Sequence, residues 1–479
     1  MTEKTKNFLV LDQGSSGSRA FVINERGQII VKKNRELTAK HLGQNLAEYD
    51  GKELLASALD ALYDALESAE KISEIAVVTQ RSTIVLWDKT TGLPVAPALT
   101  WQDGRGHAFS DGIKIPQAEI HAKTGLYKTP FYSASKITWC LNNIDAVKKC
   151  AGAGNLLVGP VATYVIWHLT GGKVFAVDPT LAQRTLLFNI NTFEWDKDLL
   201  GAFSVDKTWL PEIKNTLDDY GAHKNIPIKI CAGDQQAAAA GLGVHNAGDT
   251  AVNYGTGAFL LASTGKNLKH IPGILTSAGV TTARENKNFL LEGPVNAAGG
   301  IFQWLQNIGL NFDINDIDNL YARAQKPVQF LPAFGGIGAP FWDFETPTVI
   351  TGLTTATQKE DFAAGAVQSL AFMTADIFYC LKNAGVKMNG IKVSGGFAKN
   401  LSLLQFQADI LQTALSQNSE SETTALGAAF LLAREAGIDT SLWEVFNSVR
   451  NVSPQMPAAE AAAKYQAWRK FFDWCKSYK

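Results

Sequence analysis

The chain has 479 residues, 46% hydrophobic and 19% charged, which exceeds one ordinary core, predicts two large domains or three smaller ones, and excludes intrinsic disorder. With 44 basic and 45 acidic residues the net charge is −1. No global field therefore steers a nucleic acid or a membrane to it, neither is expected as a partner, and the substrate must be recognised locally.

The first elements read as strand, turn, strand, turn, strand: apolar Phe8–Leu11, a Gly/Ser turn over Gln13–Gly17, Ser18–Ile23, a turn at Glu25–Gly27, then Ile29–Val31. A helix follows, with Leu54, Leu55, Ala58, Leu59, Leu62, Ala65 and Leu66 on one face. Ile75–Val78 is the next strand and runs into Thr79-Gln80-Arg81. Strands mixed with helices in this way predict an α/β protein. Further on, Thr250–Asn253, the turn Gly255-Thr256-Gly257 and Phe259–Ala262 repeat the opening hairpin half a chain later, as expected of two related domains. Ile391–Val393 is a strand ending at Ser394-Gly395-Gly396 ahead of a helix, and Tyr465, Trp468, Phe472 and Cys475 form the core-facing stripe of a last helix.

The five cysteines include no CxxC pair, which disfavours zinc and suits a reducing compartment. The N-terminus lacks the apolar core of a signal peptide, and the longest uncharged runs, 235–248 and 250–265, are too polar for a membrane span. A cytoplasmic location is expected. None of the seven histidines pairs at a metal or catalytic spacing.

Four motifs carry chemistry. Asp12-Gln13-Gly14-Ser15-Ser16-Gly17-Ser18-Arg19 combines an acid able to hold Mg²⁺, glycines that admit close backbone approach, hydroxyls and a cation, which together suit a polyphosphate. No Walker A sequence is present, so this is not a P-loop nucleotidase. Taken alone the stretch also reads as an ordinary surface hairpin. Gly255-Thr256-Gly257 offers the same devices without the acid, and Ser394-Gly395-Gly396 before a helix suits the nucleoside end. Gly233-Asp234-Gln235-Gln236 places an acid at the end of an apolar strand, where it can orient a hydroxyl and accept its proton. The plainer reading makes Asp234 the cap of a helix starting at Gln235.

These motifs, with Trp101–Arg105, Phe131–Trp139, Pro332–Asp343, Gly395–Asn400 and Thr424–Ala429, occur in the order and spacing of the FGGY carbohydrate kinases. The chain resembles that family over nearly its whole length and is most similar to its glycerol kinases. The resemblance implies a duplicated ribonuclease-H-like, actin-type fold with the active site in the cleft between domains, here 1–245 and 246–479. It implies ATP and Mg²⁺, a small polyol or sugar as acceptor, and leaves room for a homodimer. By matching positions, Asp234 is the catalytic base and Asp12, with Asp234, the metal-linked acid. Gly14, Ser15, Ser16 and Arg19 form the first phosphate hairpin, and Gly255, Thr256 and Gly257 the second. Gly299, Gln303, Gly396 and Asn400 surround the nucleotide. The acceptor pocket holds Arg81, Ser82, Trp101, Phe131, Asp234, Gln235 and Phe259.

Two departures bear on the acceptor. Glycerol kinases carry Gln-Arg-Glu-Thr where this chain has Gln80-Arg81-Ser82-Thr83, and a tyrosine that reaches the acceptor is Phe131 here. Tyr132 compensates only if the loop turns differently. Losing two polar partners favours a larger acceptor, such as a tetritol, pentitol or ketopentose including xylulose or ribulose. The stretch Tyr220–Ile230 also lacks the Gly-Gly-Thr-Arg loop of regulated bacterial glycerol kinases, so sugar-bisphosphate inhibition is not expected. The hairpins by themselves would also suit an actin-fold ATP-binding switch without a small acceptor. The Arg81, Trp101, Asp103 and Asp234 constellation argues against that reading.

Overall fold

The structure, a computed structural model, describes residues 6–43, 45–255, 257–282, 287–418, 422–441, 443 and 448–477. The first sheet is built from β1 (Asn7–Gly14), β2 (Gly17–Asn24), β3 (Ile29–Glu36), β4 (Ile72–Thr79), β5 (Ala222–His223) and β6 (Ile226–Gly233), in the order β5-β6-β4-β1-β2-β3. β1, β2 and β3 form an antiparallel meander, and β4 and β6 run parallel to β1. The second sheet contains β7 (Thr250–Tyr254), β8 (Ala258–Gly265), β9 (Leu275–Ala278), β10 (Phe289–Val295), β11 (Ile391–Ser394), β12 (Leu415–Asn418) and β13 (Ser448–Val452), ordered β9-β10-β8-β7-β11-β12-β13. Again a three-strand meander, β7-β8-β10, is extended on its first strand by two parallel strands, β11 and β12. The same topology built twice is the duplicated fold expected from the two hairpins.

Strand alternation sorts the core. Leu9, Leu11, Ile75 and Val77 join the apolar cluster of α1 (Gly51–Glu67), while Phe8, Val10, Ala76, Val78, Ile230 and Ala232 face the opposite side. Because both faces are covered, the strands read as continuous apolar runs. The second face is covered in part by Ala237 and Ala240, from the helix that follows β6, and mainly by a helix far away in sequence. The latter is α7 (Thr423–Glu435), whose Ala425, Leu426, Ala428, Ala429 and Leu432 are buried there. The last third of the chain thus returns to the first sheet. The helices between are α2 (Ser133–Asn143), α3 (Asp234–Gly241), α4 (Gly299–Asn307), α5 (Lys359–Asn383) and α6 (Leu401–Leu411), and α8 (Ala458–Lys476) ends the fold. α5 is long and apolar enough to cross a membrane by length and composition, but 83% of its apolar window is buried within the second lobe.

Helix α3 lies between the sheets. Its Ala237 and Ala240 pack into the first lobe with α7, and its Ala239 joins Leu242, Ala251, Leu261 and Leu290 of the second. The lobes are also sewn together along β9. Thr276 N–H donates to Gly125 O at 2.8 Å. Gln183 Nε2 donates to Thr124 O and Thr276 O, both at 2.6 Å, and its Oε1 accepts from Ala278 N at 2.9 Å.

Candidate active site

The carboxyl ends of three parallel strands meet at one edge of the first sheet. Gln13 on β1 and Gly233 on β6 both pair with Thr79 on β4. The register therefore brings Asp12, Gln80-Arg81 and Asp234 together, at the edge where open α/β sheets bind their ligands. Asp234 is the first residue of α3, with Gly233 as the N-cap, so it is not the cap that the plainer reading made it. Its Oδ1 accepts from Gln235 N at 2.8 Å and lies 3.6 Å from Arg81 Nε. Burial raises its pKa, and Arg81 opposes that rise.

Asp12 is 2% exposed and accepts from Arg19 Nη2 at 2.5 Å. Burial pushes it up to about 6; Arg19 works against this and the negative charge of Asp234 adds to it. Two carboxylates that raise each other's proton affinity form a pocket of negative potential suited to a divalent cation. Arg19 is not free to meet a phosphate by itself, since its Nη1 donates to Glu422 Oε2 at 2.8 Å.

The first hairpin is braced from the acceptor side. Ser15 and Ser16 are exposed at its tip, Trp101 Nε1 donates to Ser15 Oγ at 2.9 Å, and Tyr49 Oη donates to Ser15 O at 2.7 Å. Gln80 Nε2 donates to Gln13 Oε1 at 3.0 Å and Gly14 O at 3.2 Å, Thr83 Oγ1 donates to Gln80 Oε1 at 2.9 Å, and Trp101 N donates to Thr83 Oγ1 at 3.1 Å. One chain of hydrogen bonds thus connects the phosphate turn to the indole.

The other expected acceptor residues have the following surroundings. Trp101 is 43% exposed, as befits a wall awaiting a ligand. Phe131 is half-buried beside Gly104, and Phe259 on β8 lies beside Gly257. Gln235 Oε1 is buried without a hydrogen-bond partner. Ser82 adopts a left-handed backbone with φ of 65°. Its carbonyl accepts from Lys136 Nζ at 3.1 Å and Ser133 Oγ at 3.2 Å. Lys136 also donates to Thr100 O at 2.5 Å; burial pushes its ammonium down to about 7.

Sequence reasoning missed a buried charge cluster behind Arg81. Arg81 Nη1 and Nη2 each donate to Glu292 at 3.0 Å. Arg184 Nη2 donates to the same carboxylate at 2.5 Å, and Ser277 Oγ at 3.0 Å. Burial would raise the carboxyl of Glu292, but Arg184 and Arg81 outweigh it and hold the group at about 2. Tyr132 is buried next to this cluster: burial pushes its hydroxyl pKa up, and the positive charge of Arg184 works against that rise. The available signal was the lone acid inside an otherwise apolar strand, Phe289–Val295.

In the second lobe, Gly255 N donates to Gly257 O at 2.9 Å and Gly299 N to Gly255 O at 3.0 Å. Thr256, assigned to this turn, lies outside the described residues. α4 begins at Gly299 without a side-chain cap, and Gly255 O and Ala298 O take up the N–H groups of Gly299 and Ile301 in its first turn. A Cβ at Gly299 would sit 2.4 Å from the Phe397 ring, whereas one at Gly396 would meet nothing within 4 Å. Asn400 Nδ2 donates to Phe397 O at 3.2 Å. Gly255, Gly299, Gly396 and Asn400 therefore gather around Phe397. Gln303 lies one turn along α4 and donates to Asn307 at 3.3 Å.

Comparison with known proteins agrees with the two-lobed fold. The chain is 36% identical over 483 residues to the glycerol kinase of Shewanella frigidimarina, covering 97% of each. It is 34% identical over 500 residues to that of Bacillus mycoides, covering 99% of this chain and 100% of the other. The structure of Plasmodium falciparum glycerol kinase with ADP superposes with a TM-score of 0.92 at 28% identity, covering 98% of both chains. A xylulose kinase from Lactobacillus acidophilus shares the fold, with a TM-score of 0.85 at 23% identity. Residues 7–241 match the N-terminal domain of the FGGY family of carbohydrate kinases and residues 250–436 its C-terminal domain. The protein is thus an ATP-dependent phosphotransferase acting on an alcohol group of a small polyol or sugar, and the chain belongs to the FGGY family of carbohydrate kinases.

Proposed function

We propose that the protein transfers the γ-phosphoryl group of ATP to a terminal hydroxyl of a polyol or sugar longer than glycerol, with Asp234 as the base. The observation that carries this reading is the position of Asp234. It opens a helix wedged between the lobes, with Arg81 Nε at 3.6 Å and the unpaired Gln235 Oε1 beside it. In the proposed step the acceptor oxygen attacks the γ-phosphorus, the bond to the β-phosphate oxygen breaks to release ADP, and the hydroxyl proton passes to Asp234. The raised pKa of this carboxylate makes it a better proton acceptor than an exposed one. Asp12 and Asp234 would hold Mg²⁺, which supplies charge neutralisation at the transferring phosphoryl group. The two hairpins would bind the phosphates. We divide the chain near residue 245, after α3, and place the enzyme in the cytoplasm.

The length of the acceptor follows from Ser82. Its backbone is fixed by Lys136 and Ser133, so a short neutral side chain stands where an acid would accept hydroxyl bonds. Tyr132 is buried, with Arg184 and Glu292 as charged neighbours, and in this reading it does not replace the hydroxyl missing at Phe131. Each hydroxyl of glycerol left unpaired costs about 1–3 kcal/mol. A kinase assay on glycerol, erythritol, pentitols, xylulose and ribulose tests this. A four- or five-carbon acceptor is expected to exceed glycerol in kcat/KM by about tenfold or more. Glycerol turned over as efficiently as any larger acceptor would refute the reading of the pocket. Asp234→Asn is expected to abolish transfer with ADP binding intact, and turnover by that variant would remove Asp234 as the base.

A further inference from the structure

Glu292 comes from β10 of the second lobe and is 1% exposed. Its two arginine partners, Arg81 and Arg184, come from the first lobe. Its carboxylate faces both Nη atoms of Arg81 in a two-pronged pair, which fixes the plane of a guanidinium as a single contact cannot. Arg81 Nε is thereby left pointing at Asp234. We propose that Glu292 is a positioning residue: from the second lobe it sets the Arg81 guanidinium beside Asp234 and against the acceptor, so that acceptor binding depends on the lobes being docked. This rests on the roles of Asp234 and Arg81 proposed above.

The test compares Glu292→Gln and Glu292→Asp with the wild type, using the acceptor the wild type turns over best. For E292Q we expect the acceptor KM to rise about tenfold or more while the ADP Kd stays within about twofold. E292D keeps the charge but shortens the reach. It should give an acceptor KM between the other two. A folded E292Q with the wild-type acceptor KM overturns the proposal, as does an ADP Kd that rises as much as the acceptor KM. Should E292Q fail to fold, E292D decides: an unchanged acceptor KM overturns the proposal and a raised one supports it. A wild-type enzyme inactive on every polyol and sugar would instead count against the proposed function, so the two failures are distinguishable.

Discussion

Asp12 and Asp234 end two strands of one sheet, and each resists ionisation because of burial and, for Asp12, because of the other. A cation held between them competes with a proton. Since Asp12 is pushed up to about 6, it is ionised above that pH and protonated below it. Mg²⁺ affinity in the ADP complex should be flat above pH 6 and weaken about tenfold per unit below it. Calorimetric titration from pH 5 to 8 measures this, and Asp12→Asn should bind weakly with no such slope. Both acids were legible in the sequence, because an acid closing an apolar strand beside glycine is a local pattern. Glu292 carried only a faint signal, since its meaning depends on two arginines 108 and 211 residues away.

Among the elements, the pairing of α3 with α7 holds the base in place. A Cβ at Gly427 would lie 1.9 Å from Ala237 O, and one at Gly241 2.0 Å from Thr423 O. The two backbones are in contact, and neither can yield without moving its helix. Gly427→Ala gains about 1 kcal/mol of helix propensity, but overpacking outweighs it, with an expected net loss of about 1–3 kcal/mol. The urea midpoint reports that loss. Because α3 starts at Asp234, kcat should fall more than the acceptor KM changes. The hairpins, the strand ends and the C-terminal helix were readable as elements from turn residues and periodicity. That α7 covers the first sheet was not, because an alanine-rich face fits either lobe equally well.

For the whole molecule, the seam along β9 fixes how the lobes meet. Gly125 has φ of 73°, and a Cβ there would lie 2.0 Å from Thr276 O, so the first lobe touches the edge of the second sheet backbone to backbone. Gln183, fully buried, ties both sides with three hydrogen bonds. Gln183→Ala leaves Ala278 N and two carbonyls unpaired, at about 1–3 kcal/mol for each group that water cannot reach. A lowered chemical-denaturation midpoint is expected, together with a raised acceptor KM, because Arg184 next in the chain anchors Glu292.

By itself the sequence determined the α/β class, the duplication, the two glycine-rich hairpins and the placing of Asp12 and Asp234 at strand ends. Each of these is written in a short stretch whose backbone chemistry decides its conformation. The tertiary structure alone decided that Arg81 is shared between Asp234 and a carboxylate of the other lobe, that Lys136 locks the backbone of Ser82, and that Arg184 meets that same carboxylate. These contacts join residues far apart in the chain. Their partners are chosen by sheet register and lobe packing, which no local pattern of residue types encodes.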